Sequence, residues 1–164
     1  REAASHIRSR LDAVKAQMED ALKLRTPGGK MTLGKYAWSP SSDKGDTVEG
    51  AYANRDCLIL KVGPNGGGDF RLQLAVSPGR YRLEGKIQYK GVKAGEGDAK
   101  GLRLRTSGSA PDPKNPATVG DGTWKSFAHE FTVTDADPVL IAELRGTGGE
   151  AGVDRSSLTL TRLP

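Results

Sequence analysis

The sequence predicts an all-β antiparallel sandwich or barrel preceded by one amphipathic helix. Three observations carry this expectation. Up to Arg25 the apolar residues recur at helical spacing. After Gly29 their period falls to two. The 22 Gly and 9 Pro punctuate short alternating runs rather than gather in one tract.

The helix comes first. Ala4, Ile7, Leu11, Val14, Met18 and Ala21 alternate spacings of three and four, with Leu22 and Leu24 beside them, which is one stripe of a helix running from about residue 3 to about residue 25. Glu2 and Ser5 near its start and Lys23 and Arg25 at its end suit the helix dipole, and Thr26-Pro27-Gly28-Gly29 stops it. A stripe this narrow either packs flat on the following domain or pairs with a copy of itself as a short coiled coil. Residues 1–27 are therefore assigned to a helical segment and residues 28–164 to the β domain.

The strands follow in order. Leu58, Leu60 and Val62 alternate with Ile59 and Lys61. Phe70, Leu72, Leu74 and Val76 alternate with Arg71, Gln73 and Ala75, and the glycine-rich stretch 63–68 between the two runs reads as a hairpin turn. Ser77-Pro78-Gly79 leads into Tyr81, Leu83, Ile87 and Tyr89, interleaved with Arg82, Glu84, Lys86, Gln88 and Lys90, so one face is core and the other wet. Leu102 and Leu104 alternate with Arg103 and Arg105, and a Pro/Gly/Asp-rich loop occupies 107–123. Beyond it, Phe127, His129, Phe131 and Val133 share a face, Val139 to Leu144 is more continuously apolar, and Ser157 to Arg162 closes the chain. Seven or eight short strands with no helix among them define the class.

Composition narrows the function. At 164 residues the chain fits one domain plus an appendage, and no window approaches the roughly 20 apolar residues of a membrane span. No charged start followed by an apolar core marks a signal peptide in this sequence, but it begins at Arg1 rather than Met, so a piece cut from a longer protein is expected. The single Cys57 excludes an internal disulfide and a Cys-rich zinc site, and its apolar neighbours predict a buried thiol. The charge of +5 is spread along the whole chain without interleaved aromatics, which argues against nucleic acid. Gly146-Thr147-Gly148-Gly149-Glu150-Ala151 resembles a dinucleotide fingerprint, but no helix follows it, and a loop is expected there. No HExxH or GxSxG occurs. His129 is the one histidine in the β domain and shares the Phe127 and Phe131 face, as a core or boundary histidine does. Nothing in the order of Glu84, Glu130 and Glu143 sets two carboxylates at the separation glycoside hydrolysis needs, so a non-catalytic protein is expected.

One resemblance covers most of the chain, from about Tyr36 to Leu163. Trp38 precedes the strand Asp56-Cys57-Leu58-Ile59-Leu60-Lys61-Val62. Leu72-Gln73-Leu74-Ala75-Val76 leads through Ser77-Pro78-Gly79-Arg80 into Tyr81-Arg82-Leu83. Trp124-Lys125 opens a strand ending in Phe131-Thr132-Val133, and Gly152-Val153-Asp154 introduces Ser157-Leu158-Thr159-Leu160. In this order and spacing the chain resembles carbohydrate-binding modules of the cellulose- and xylan-binding jelly-roll type, within the galactose-binding-like superfamily.

The resemblance implies an antiparallel jelly-roll β-sandwich that serves a larger bacterial protein as an accessory domain, outside the cell or on its surface. It also implies a polysaccharide ligand on the concave face of one sheet, with the other domains of the parent protein as partners. Polar candidates for that face are Gln73, Arg82, Glu84, Lys86, Gln88, Arg103 and Arg105. Among aromatics, Tyr81, Tyr89, Phe127 and Phe131 fall on the apolar phase, and Trp124 at the head of its strand is expected to pack across the sandwich. Trp38 and Tyr52, with Tyr36, lie in less regular sequence and are the candidates for exposed rings. A face so rich in Arg and Lys suits an anionic polymer better than a neutral one. The resemblance further implies a structural calcium near the termini, for which Asp154 stands at the matching position, with an ordinary turn residue as the alternative. No other cofactor is implied. A second reading is a structural or assembly domain that self-associates through the helix and binds no glycan.

Overall fold

The computed structural model describes residues 2–41, 46–63, 66–97, 100–108, 113–134 and 137–164. Helix α1 (Glu2–Leu22) runs into a single 3-10 turn (Lys23–Arg25), after which Gly28, at a φ of +82°, releases the chain. The strands are β1 (Lys30–Thr32), β2 (Ser39–Pro40), β3 (Asp46–Tyr52), β4 (Arg55–Lys61), β5 (Asp69–Gln73), β6 (Gly79–Lys93), β7 (Gly101–Thr106), β8 (Gly120–Val133), β9 (Val139–Arg145), β10 (Gly148–Asp154) and β11 (Thr159–Arg162).

They form two antiparallel sheets. The larger runs β1-β11-β6-β10-β4-β3, with β8 along the other edge of β6, and the smaller runs β2-β5-β9-β7. This is the sandwich of jelly-roll type that the sequence led us to expect. Strand β6 organises the larger sheet, because Tyr81–Glu84 pair with β11, Ile87–Lys93 pair with β10, and β8 lines almost the whole opposite edge.

The core lies between the sheets and follows from the period-two alternation. Leu58, Leu60, Tyr81, Leu83, Ala151 and Val153 of the larger sheet meet Phe70, Leu102, Leu104, Leu140 and Leu144 of the smaller one, all buried in one cluster. Cys57, Ile59 and Ile141 are also buried but stand outside that cluster. They lie on the opposite faces, as their odd places in the alternation require.

Two sequence expectations fail here. The runs flanking 63–68 do not make a hairpin, since β4 pairs with β3 and β10 while β5 pairs with β2 and β9 in the other sheet. The chain passes from the larger sheet to the smaller one between β4 and β5 instead. The segment from Gly148 is not a loop but β10, an inner strand between β4 and β6. Its glycines answer to close approach: a Cβ on Gly149 would stand 2.5 Å from Val92 Cα, and one on Gly152 would stand 2.5 Å from Tyr52 Cδ1.

Helix α1 forms where the stripe placed it, but it does not lie flat on the sandwich. Every residue from Glu2 to Ala16 is exposed. Contact is concentrated at the C-terminal end, where Gln17 Nε2 donates to the Gln73 carbonyl at 3.1 Å and Asp20 is buried. Asp20 accepts from the Tyr36 hydroxyl and forms ion pairs with Lys35 at 2.5 Å and Lys23 at 3.0 Å. These donors, Lys35 foremost, hold the Asp20 carboxyl far below the usual carboxylate range. No helix among the described residues is long and apolar enough to cross a membrane.

Candidate functional site on the outer face of the larger sheet

The ladder between β6 and β8 is regular from Gly79 opposite Val133 to Ile87 opposite Lys125, and then slips so that Tyr89 faces Gly122. Thr123 and Trp124 thus oppose the single residue Gln88, which is a β-bulge. Trp124 takes the left-handed conformation there, with φ +37°. For a bulky side chain this costs roughly 1–3 kcal/mol. The bulge turns the Trp124 ring onto the outer face, against the sequence expectation that it packs across the sandwich, and the ring is only half-buried.

The Arg55 guanidinium lies over that ring, 4.3 Å from its centroid. Arg55 Nη1 also donates to Asp154 Oδ2 at 2.7 Å, while Asp154 Oδ1 accepts from the Ser156 amide at 3.1 Å and the Ser156 hydroxyl at 2.8 Å. Burial alone would raise the Asp154 carboxyl, but Ser156 and Arg55 outweigh it and hold the group ionised below its ordinary range. Arg55 is therefore a bridge, fixed by a carboxylate on one side and a π face on the other.

Tyr52 completes the row. Its ring lies against Gly152, which has no Cβ to block it, and its hydroxyl donates to Glu150 Oε1 at 3.4 Å. Burial, and then the Glu150 charge, push the Tyr52 hydroxyl up. Close by, the Cys57 thiol is pushed up to about 11, chiefly by burial and then by Asp154. Gln88, opposite Gly152 in the ladder, presents a side-chain oxygen that is buried and has no hydrogen-bond partner among the described residues. Such groups are uncommon, because an unmet acceptor costs roughly 1–3 kcal/mol.

Arg82, Glu84 and Lys86 share the outer face with Gln88. Arg82 donates twice to Glu130 Oε1, at 2.7 and 3.1 Å, and Arg80 approaches the same carboxylate at 3.6 Å. Glu130 falls below its ordinary range chiefly through Arg82. This corner is exposed, so its pairs can exchange with solvent or ligand.

The other expected residues go elsewhere. Gln73, Arg103 and Arg105 lie on the outer face of the smaller sheet, so one surface cannot join them to the β6 row. Arg103 Nη2 (3.1 Å), Arg105 Nε and Nη2 (2.8 and 3.1 Å) and Arg145 Nε (3.1 Å) all donate to Glu143. Arg145 and Arg71 also hold the buried Asp69. Burial would raise Glu143, but Arg105 above all, with Arg145 and Arg103, brings it down to about 2. Arg103 and Arg105 are thus committed to this carboxylate. Trp38 is 3 % exposed and donates to the Leu33 carbonyl at 3.1 Å, and Tyr36 is buried against Asp20, so neither offers an open ring. Irregular sequence signalled a covered loop rather than an exposed one.

Asp154 does not fit a calcium site. Both its oxygens already accept hydrogen bonds, one from a guanidinium that would repel a cation, and no group of three His, Cys, Asp or Glu gathers among the described residues. Asp154 instead caps the 3-10 turn Arg155–Ser157. Sequence reasoning missed Arg55 and Glu150, and it misplaced Trp124. Gly120-Asp121-Gly122 before Trp124 was the available sign of a bulge.

No protein-family model matches the chain, and no curated protein does. Among solved structures, it is similar to a family 35 carbohydrate binding module from Clostridium thermocellum at 18 % identity and a TM-score of 0.43, over 75 % of this chain and 90 % of that one. It is similar to the Podospora anserina GH26-CBM35 β-(1,4)-mannanase at 17 % identity and a TM-score of 0.45, over 85 % of this chain and 28 % of that one. It is also similar to the carbohydrate binding module CBM6cm-2 from Cellvibrio mixtus lichenase 5A, solved with cellotriose, at 16 % identity and a TM-score of 0.32, over 82 % of this chain and all of that one.

Proposed function

We propose that this chain is a non-catalytic carbohydrate-binding domain that holds an anionic polysaccharide on the outer face of the larger sheet. The observation that carries the reading is Trp124. A bulge keeps it in a costly backbone conformation, and the result is a half-open ring stacked under a guanidinium. In this reading the ring supports the apolar face of a pyranose, and Arg55 exchanges part of its bond to Asp154 for a sugar carboxylate or sulfate. Lys86 and Arg82 extend the surface along the polymer. The domain then serves a larger protein, outside the cell or on its surface, by keeping it near its glycan.

Affinity electrophoresis through polygalacturonate and through neutral xylan tests this. The native chain should be retarded by the polyuronate, less so as salt rises, and Trp124→Ala should abolish the retardation while the protein stays folded. Mobility unchanged by either polymer overturns the reading. A second reading, an assembly domain without a glycan, is favoured by the exposed apolar stripe of α1.

A further inference from the structure

We infer that α1 is a docking strip for a second amphipathic helix whose flanking positions are acidic, supplied by a partner protein rather than by a copy of this chain. The inference rests on the assembly reading and is independent of the glycan site. Ile7, Leu11, Val14, Met18 and Leu22 are 53–64 % exposed. Five large apolar side chains on one side of a helix, within a domain that otherwise buries nearly all of its own, form a stripe that needs a cover.

The spacing says what shape of cover fits. With Ala4, Leu11 and Met18 at the first core position of each heptad and Ile7, Val14 and Ala21 at the second, the stripe is a coiled-coil seam. The flanks say which chemistry. Arg8 and Lys15 border the seam on one side, and Arg10 borders it on the other, where Arg71 of β5 lines the same cleft with the acidic Asp137. The acidic residues Asp12 and Glu19 stand one position farther out. Lys15 reaches Glu19 only at 4.0 Å, and both are largely exposed, so that pair yields readily to a better partner.

A second copy of α1 is the wrong partner on this count. In a parallel pair Arg10 of one helix faces Lys15 of the other, and in an antiparallel pair Arg8 and Lys15 face each other across the seam. Like charges meet in both orientations. A helix with Glu or Asp at the flanks turns each of these repulsions into an ion pair. The anchor at Gln17 and Asp20 holds only the end of α1. Ile7 and Leu11 stand clear of the sandwich, while Val14 lines a cleft with Leu72 and Leu74, and Met18 and Leu22 line one with Ala75 and Ser77, so the covering helix enters between α1 and the smaller sheet.

The test uses the whole chain and two labelled three-heptad peptides with Leu at both core positions, one carrying Glu and the other Lys at the flanking positions, read by fluorescence anisotropy. The Glu peptide should bind about tenfold tighter at low salt, the sum of a few exposed ion pairs, and the preference should fade at high salt. Reversing the flanks together with Arg8→Glu, Arg10→Glu and Lys15→Glu should switch the preference to the Lys peptide. Leu11→Ser with Met18→Ser should remove binding of both without moving the unfolding temperature, since neither side chain is buried. Equal binding of the two peptides, binding of neither, or a sedimenting dimer that the Glu peptide fails to dissociate would each overturn the inference. Retardation by polygalacturonate should be unchanged in the Leu11→Ser, Met18→Ser variant, which leaves the net charge at +5 and so separates failure here from failure of the glycan reading.

Discussion

Glu143→Gln probes the charge array on the smaller sheet. The wild-type carboxylate is 5 % exposed and accepts four hydrogen bonds from three arginines at 2.8 to 3.1 Å. Its carboxyl sits at about 2 in the folded chain against an ordinary 4.5, and that difference is worth about 3 kcal/mol at neutral pH. The folded value lies below the unfolded one. The stabilisation is therefore complete above pH 4.5 and drains away as the pH falls towards 2, with about 2 kcal/mol already gone at pH 3. Glu143→Gln keeps the shape, leaves three guanidinium groups around a neutral amide, and should cost about 3 kcal/mol or somewhat more at pH 7. Urea unfolding of wild type and variant at pH 7 and pH 3 measures both numbers, and the gap between the two proteins should narrow by about 2 kcal/mol at the lower pH. A gap under about 1 kcal/mol at pH 7, or one that does not change with pH, refutes the claim that the arginines are committed to Glu143.

Trp124→Ala should lose only about 1 kcal/mol, the worth of the Arg55 stack, rather than the 3–5 kcal/mol of a core aromatic. Trp124→Gly, which takes φ +37° without a Cβ penalty, should be at least as stable as the alanine variant in the same unfolding assay. Asp20→Asn weakens the charge on which Lys35, Tyr36 and Lys23 converge, and trypsin should then cut within α1 faster than in wild type. Unchanged cleavage would show that Gln17 alone holds the helix. Cys57, buried and with its thiol pushed up to about 11, should resist iodoacetamide at pH 8 and react at once in denaturant.

The helix and the faces of the long strands were legible because each is a local pattern: the stripe of α1, and the alternation that puts Tyr81, Leu83 and Ile87 inward and Arg82, Glu84 and Lys86 outward. Alternation assigns a face within a strand but not a sheet. Arg103 and Arg82 were therefore grouped on one surface, although they stand on opposite sides of the molecule. Strand β10 escaped notice because its glycines answer to neighbours distant in sequence, Val92 and Tyr52. Trp124 was misread because a bulge breaks the alternation at that residue. Asp154 was recognised as a turn residue only as an alternative, since its partner Arg55 lies 99 residues away in the chain.

The pairing of β1 with β11 has a mechanical consequence. Lys30 faces Thr161 and Thr32 faces Thr159, and Gly28 and Arg162 are joined by a backbone bond of 2.9 Å. Tension pulling residues 28 and 162 apart would act at one end of that ladder, so its hydrogen bonds would break in sequence rather than share the strain. Strand β1 would peel first and draw Met31 out of the core, while β6, held on both edges, stayed in place. Under traction the domain should behave as a spring with a detachable first coil, lengthening by a few residues well before the sandwich itself ruptures.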